Sequence, residues 1–257
     1  MENNMKIRIL GCGPSFGIPS IRKQFEACDE TLKENIRTRS SVLVQIDQTN
    51  ILIDSGPDLR YQIVKAGYPR VHAVLYTHAH YDHMGGANDL NGYFTEEHKT
   101  IPVFAVEKDM KRLSEIVPYM MKEWGEEYYL ERNIITTYQK FSVHGIDILP
   151  LLQVHGPGHS IGYRIGDFAY TTDVNKVDDK NFDLLKGIKL WILGVGVKEG
   201  KPKSPHLSLP EAIEWIERVK PQRAILTHMG GRLDFKTLSN ILPTYIRPAY
   251  DGLEVEI

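Results

Sequence analysis

A chain of 257 residues, 42% hydrophobic and 25% charged, is long enough to bury a core without disulfide or metal staples. Its formal charge of −2 carries no electrostatic footprint of a polyanion binder, and Cys12 and Cys28 are too few for a disulfide framework or a thiolate zinc site. No apolar run approaches the roughly 20 residues of a membrane span, and "MENNMKIRIL", without a basic region followed by an apolar run and a small-residue cleavage site, reads as carrying no signal peptide. The expectation is a cytoplasmic protein with a small substrate and no membrane partner, nucleic acid being disfavoured.

Short β-branched runs alternate with helical stretches through the first half. "KIRILG" (6–11), "SVLVQID" (41–47) and "NILIDSG" (50–56) read as strands, the last two joined by a polar turn around Gln48 to Asn50. "PDLRYQIVKAG" (57–67) opens on Pro57, repeats apolar residues at helical spacing and stops at Gly67, which predicts a helix. "VHAVLYTH" (71–78) reads as a strand ending in a histidine, "IPVFAV" (101–106) as a strand and "EKDMKRLSEIV" (107–117) as a helix. The segment 118–135, rich in aromatics and methionine, reads as a helix packed on the core, with a lid or a homodimer face as the open alternatives.

From 139 the pattern turns to β, with "KFSVHG", "IDILPLLQVH", "SIGYRIGD" and "FAYTTD" separated by glycine turns. A helix near 178–187, the strand "IKLWILGVG", the helix "LSLPEAIEWIERVK", the strand "RAILTH" and a final strand "LEVEI" complete the chain. Strands run through both halves without a Ser/Gly/Pro-rich linker. The pattern predicts one α/β domain over 1–257, with two sheets packed face to face and helices outside.

The stretch "YTHAHYDHMGG" (76–86) places His78, His80, Asp82 and His83 within six positions. On an extended segment His78 and His80 point the same way, so both can face one ion. Asp82 and His83 follow on a turn marked by Gly85 and Gly86 and can reach a second ion. Imidazole with carboxylate suits zinc, manganese or iron, and two metals about 3.5–4 Å apart are a common hydrolytic arrangement. Further ligands are then expected at other strand ends. Asp173 closes "AYTTD", His228 closes "AILTH" and His155 closes "LLQVH".

This pattern, His-x-His-x-Asp-His followed by a His, the Asp of "TTD" and the His of "LTH", resembles the metallo-β-lactamase superfamily over essentially the whole chain. The resemblance implies an αββα sandwich and two divalent metal ions, zinc or manganese. His78, His80 and His155 would hold the first ion, Asp82, His83 and His228 the second, with Asp173 and a hydroxide bridging them. "PGHSIG" is similar to the ligand motif of hydroxyacylglutathione hydrolases and would select His159, whereas "HGPGHSIGYR" fits the phosphodiesterase branch and selects His155, the preferred assignment.

"GCGPSFGIPS", "IRTRSSVLV", "DSGPDLR", "SPHLSLPEAIEWI" and "PAYDGLEVEI" resemble the phosphoribosyl cyclic-phosphate phosphodiesterase branch, which is related to ribonuclease Z. That resemblance implies a phosphodiesterase acting on a small cyclic or nucleotide-like phosphodiester, with the hydroxide as nucleophile. Asp82 and His206 are then the candidate catalytic residues, His206 protonating the leaving oxygen. The glycines of "GCGPSFG" could offer backbone N–H groups to phosphate or simply form a tight turn, and Arg37 and Arg39 could contact phosphate or brace the adjacent loop. Many members of the branch carry a separate structural zinc site. Here only Cys28 remains in that loop and Gly231 stands where a histidine would, so the resemblance implies that this zinc is absent. The alternatives are tRNA 3′-processing endonuclease activity, a thioester or ester hydrolase of the hydroxyacylglutathione type, and a non-catalytic ligand-binding member.

Overall fold

The computed structural model describes residues 4–97, 99–122, 129–200 and 204–257. The chain divides into two compact units, one comprising Met1–Gly11, Arg39–Thr136 and Gly252–Glu256, the other Cys12–Thr38, Thr137–Asp251 and Ile257. Each unit is built on one seven-stranded mixed sheet.

In the first unit, β1 (Met5–Gly11), β2 (Ser41–Ile46), β3 (Thr49–Ile53), β4 (Ala73–Leu75), β5 (Ile101–Ala105) and β6 (Leu130–Ile134) lie in chain order, with the C-terminal strand Glu254–Glu256 added beside β1. Pairing is antiparallel from the C-terminal strand to β3 and parallel from β3 to β6. The β2–β3 hairpin closes one residue earlier than its polar sequence suggests. Ile46 pairs with Thr49, and Asp47 takes the left-handed conformation (φ 51°) that a two-residue hairpin turn requires.

Helix α1 (Leu59–Lys65) is ended by Gly67, whose φ of +84° only glycine adopts without penalty. α2 (Tyr81–Met84) is a single turn, and α3 (Asn91–Glu97) and α4 (Glu107–Ile116) follow. Leu59 and Ile63 of α1 and Met110 and Leu113 of α4 share one apolar cluster with Leu43, Leu52, Val74 and Val103 of the sheet. The helical reading of 118–135 is corrected. Residues 130–134 form β6, because their backbone completes the parallel ladder of β5 from Ile101 to Ala105; residues 123–128 lie outside the described residues.

In the second unit, β7 (Phe141–Val143), β8 (Ile146–His155), β9 (Gly158–Ile165), β10 (Phe168–Thr171), β11 (Leu190–Gly194), β12 (Arg223–Thr227) and β13 (Ile246–Pro248) also lie in chain order across the sheet. β7 to β10 are antiparallel and β10 to β13 parallel. Helices α5 (Asp179–Leu185), α6 (Leu209–Val219) and α7 (Phe235–Ile241) belong to this unit. α6 shows how local sequence sets an element. Ser208 and Glu211 form a reciprocal capping box, and Leu209, Ala212, Ile216 and Val219 recur at helical spacing and are buried. Among the described residues no helix is long and apolar enough to cross a membrane.

Candidate metal centre

β3 and β4 are parallel, so their carboxyl ends stand side by side. Asp54 follows β3 in a left-handed conformation (φ 65°), and its buried carboxylate accepts Thr77 N at 2.8 Å and Thr77 Oγ at 2.8 Å. This interaction shortens β4. The sequence predicts a strand to His78, but Thr77 N is taken by the Asp54 side chain instead of by a neighbouring strand.

The same carboxylate lies 2.7 Å from His83 Nδ1. Since Thr77 Oγ donates to Asp54, it accepts from His78 Nδ1 at 3.0 Å. One carboxylate therefore sets the tautomer of two histidines and leaves the lone pair of each on Nε2. Burial pushes the Asp54 carboxyl up from its usual range, and His83 opposes the shift. The ring of His78 lies 4.4 Å from that of His80 and 4.3 Å from that of His83, and His83 Nε2 is 3.2 Å from Asp82 Oδ2. The four residues that the sequence places in one cluster thus surround one locality. His78, Asp82 and His83 are buried and His80 is exposed.

Two glycines allow this turn to close on the Asp54 turn. A Cβ on Gly56 would lie 2.2 Å from Asp82 O, and one on Gly86 would lie 2.0 Å from Gly56 O. The turns are tied by Ser55 N donating to His83 O and Gly86 N donating to Ser55 O, both at 2.8 Å.

In the second unit, Asp173 and His228 follow the parallel strands β10 and β12, while His155 ends β8. Asp173 (φ 49°) and His228 (φ 55°) are left-handed, a conformation that non-glycine residues take up mainly where the surroundings enforce it. Three imidazoles converge on the buried Asp173 carboxylate. His206 Nδ1 is 3.2 Å and His155 Nε2 3.6 Å from Oδ1, and His228 Nε2 is 3.2 Å from Oδ2. His155 Nδ1 lies 2.8 Å from the Pro205 carbonyl, so that nitrogen carries the proton and the lone pair is on Nε2, the nitrogen that faces Asp173. His206 is stacked on His228 with ring centroids 5.1 Å apart, and its side chain is 23% exposed against 2% to 5% for His155 and His228.

Close backbone approach again depends on glycine. A Cβ on Gly196 would lie 2.6 Å from His206 Cβ, and one on Gly194 2.9 Å from Thr172 Cα. The motif "GVG" (194–196) at the end of β11 therefore shapes the positions of Asp173 and His206. His159 pairs with Val154 in the β8–β9 ladder, is half-exposed, and joins none of the metal-competent groups among the described residues.

The remaining sequence alternatives resolve toward structure. In "GCGPSFG", Cys12 N donates to Asp251 Oδ1, Gly13 N to Thr38 O and Gly17 N to Pro14 O, so those groups are used internally. Arg39 pairs with Asp58 at 3.0 Å, and Arg37 is fully buried among carbonyl groups. The sequence assigns no role to Asp54, Thr77, Gly56, Gly194 or Gly196, and marks Gly86 only as part of a turn. "DSG" after a strand was the one visible signal. Neutral imidazoles oriented by neighbouring acceptors, together with buried carboxylates, are a donor set that fits divalent ions of the zinc and manganese class.

The sequence profile of the family described as Beta-lactamase superfamily domain matches residues 49–229. A curated octanoyltransferase of Porphyromonas gingivalis is 29% identical over 257 residues, covering 98% of this chain and 52% of that protein, so the chain spans about half that relative's length. Among solved structures, a diphosphatase of the PhnP family superposes with a TM-score of 0.89 at 27% identity, covering 99% of this chain and 97% of the other. The short form of human tRNase Z superposes with a TM-score of 0.71 at 17% identity over 97% and 98% of the two chains, a likeness of fold alone. Two mixed seven-stranded sheets with their helices match the metallo-β-lactamase α/β sandwich, and the chain belongs to the beta-lactamase superfamily.

Proposed function

We propose that this chain is a metal-dependent hydrolase of small phosphodiesters, acting as one hydrolase domain. In this reading His78, His80, Asp82, His83, His155, Asp173 and His228 are the residues that would hold divalent ions. The observation that carries it is the buried Asp173 carboxylate with imidazole nitrogens of His155, His206 and His228 within 3.6 Å, of which His206 alone is substantially exposed. Similarity at 27% identity to a diphosphatase supports chemistry at phosphorus.

Bound divalent ions would supply a nucleophile from water at neutral pH and stabilise charge at phosphorus. The chain's own residues do the rest. Asp82, buried beside His83, orients the attacking water and accepts its proton. Asp173 holds His206 through Nδ1, leaving Nε2 of the protonated ring to deliver a proton to the departing oxygen. Exposure suits that role, since a proton donor must reach substrate while a ligand need not.

A second reading, thioester or ester hydrolysis, is favoured by the similarity to the octanoyltransferase. His206 argues against the thioester case alone, because a thiolate leaves without needing a proton donor.

His206→Ala tests the leading reading. Hydrolysis of an alkyl phosphodiester, whose leaving group is poor, should fall about 10²- to 10⁴-fold, while a nitrophenyl diester falls far less and metal content is unchanged. Equal losses on both substrates would remove His206 as the proton donor.

A further inference from the structure

His228 is followed by an irregular loop, 229–233, whose backbone is satisfied largely by the strap Cys12–Thr38 of the same unit. Met229 N donates to Cys12 O at 2.9 Å, and Ala27 N donates to Gly231 O at 2.8 Å. Arg37 spreads its guanidinium over the same loop. Nη1 lies 3.3 Å from Met229 O and 3.5 Å from Gly230 O, while Nη2 lies 2.7 Å from Leu233 O and 3.0 Å from Asn35 Oδ1. Nε faces Glu34 O at 3.4 Å. The backbone of Arg37 is itself held by reciprocal bonds with Ile18, each 2.8 Å.

Every one of these side-chain acceptors is an uncharged oxygen, and the residue is only 1% exposed. Burying a guanidinium among neutral dipoles is costly. The planar fork can bridge several carbonyls at once, which a lysine ammonium cannot.

We propose that Arg37 is a positioning residue for His228. By holding the carbonyls of Met229, Gly230 and Leu233 it sets the left-handed turn at His228 (φ 55°) and so aims the imidazole at Asp173, 3.2 Å away. The inference rests on the reading of His228 as a metal ligand and adds a residue to which that reading gives no part.

The test is a double-mutant cycle on metal affinity. Parent, Arg37→Lys, His228→Ala and the double variant are stripped of metal and titrated with cobalt(II) against a chelator, reading both affinity and the cobalt absorption band. Circular dichroism of the metal-free proteins checks that each is folded. Arg37→Lys should weaken the more labile ion about tenfold or more and alter the band, yet cost less than about twofold once His228 is gone. An equal loss in both backgrounds, or no loss in the parent, overturns the proposal. An unchanged affinity in His228→Ala alone would instead overturn the ligand reading, and the proposal would fall with it. Asn35→Ala, which removes one anchor of the same fork, must follow the same pattern and carries the test if Arg37→Lys does not fold.

Discussion

Replacing Gly86 by alanine should separate the histidine turn from the turn that carries Asp54. The added Cβ would stand 2.0 Å from Gly56 O, 2.9 Å from Gly56 C and 3.1 Å from Ser55 O, all backbone atoms that cannot rotate away. Relief requires a displacement of about 1 Å, which strains the Gly86 N–Ser55 O and Ser55 N–His83 O bonds of 2.8 Å. Losing these bonds costs about 1 kcal/mol each and overpacking adds about 1–3 kcal/mol. The sum, about 3–5 kcal/mol, is a large share of the 5–15 kcal/mol typical of a folded domain. Gly92→Ala is the control, since a Cβ there meets nothing within 4 Å and α3 should gain about 1 kcal/mol in helix propensity. Urea denaturation of the metal-free proteins measures both, and chelator competition measures metal affinity, which should drop for Gly86→Ala alone. If Gly86→Ala stayed within about 0.5 kcal/mol of the parent with metal affinity intact, the two turns would have slack and the argument from close approach would be wrong.

Asp54→Asn removes the charged acceptor behind His83 and, through Thr77, behind His78, so metal affinity should fall about 10- to 100-fold in chelator competition; an unchanged affinity would mean that Asp54 serves only the fold. Asp173→Ala should reduce metal content itself, measured by atomic emission, and full loading would exclude Asp173 as a ligand. Asp234 is predicted to stabilise the fold above the ordinary carboxyl range. Burial tends to raise its pKa, but donation from Thr237 N, Asp29 N and the Asn35 amide outweighs this and brings it to about 2, below the usual 3.8. A depressed folded-state value means a contribution fully present above about pH 4 and lost as the pH falls through about 2. The stability difference between parent and Asp234→Asn should therefore shrink over that window in urea melts, and a constant difference would count against the assignment.

What the sequence made legible was local. The "SVLVQID" and "NILIDSG" runs are β-branched apolar stretches flanking a polar turn and form the hairpin, and α6 carries its capping box and apolar stripe in consecutive letters. The ligand-type residues were visible because His and Asp recur at strand ends. Elements whose identity depends on a distant partner were harder to read. Residues 130–134 become a strand by pairing with β5, and β13 exists because β12 offers it an edge. The parts that orient the centre were hidden for the same reason. Asp54 acts on a histidine 29 residues away, Gly196 makes room for His206, and Arg37 reaches carbonyls nearly 200 positions on. Short strings such as "DSG" and "GVG" mark where the chain turns, but the partner each residue acts on is fixed only by which strand ends the fold makes neighbours. His155 and His159 illustrate the intermediate case: the sequence motif favours His155, and the structure places His155 beside Asp173 and His159 opposite Val154 in the β8–β9 ladder.

The proposed function requires that phosphodiester cleavage depend on divalent metal. Protein stripped of metal and reloaded with zinc or manganese should be offered an aryl phosphodiester beside an aryl acetate and a thioester. Metal-dependent cleavage of the phosphodiester alone is the expected result. Cleavage of the esters alone, or phosphodiester cleavage that survives metal removal, would contradict it.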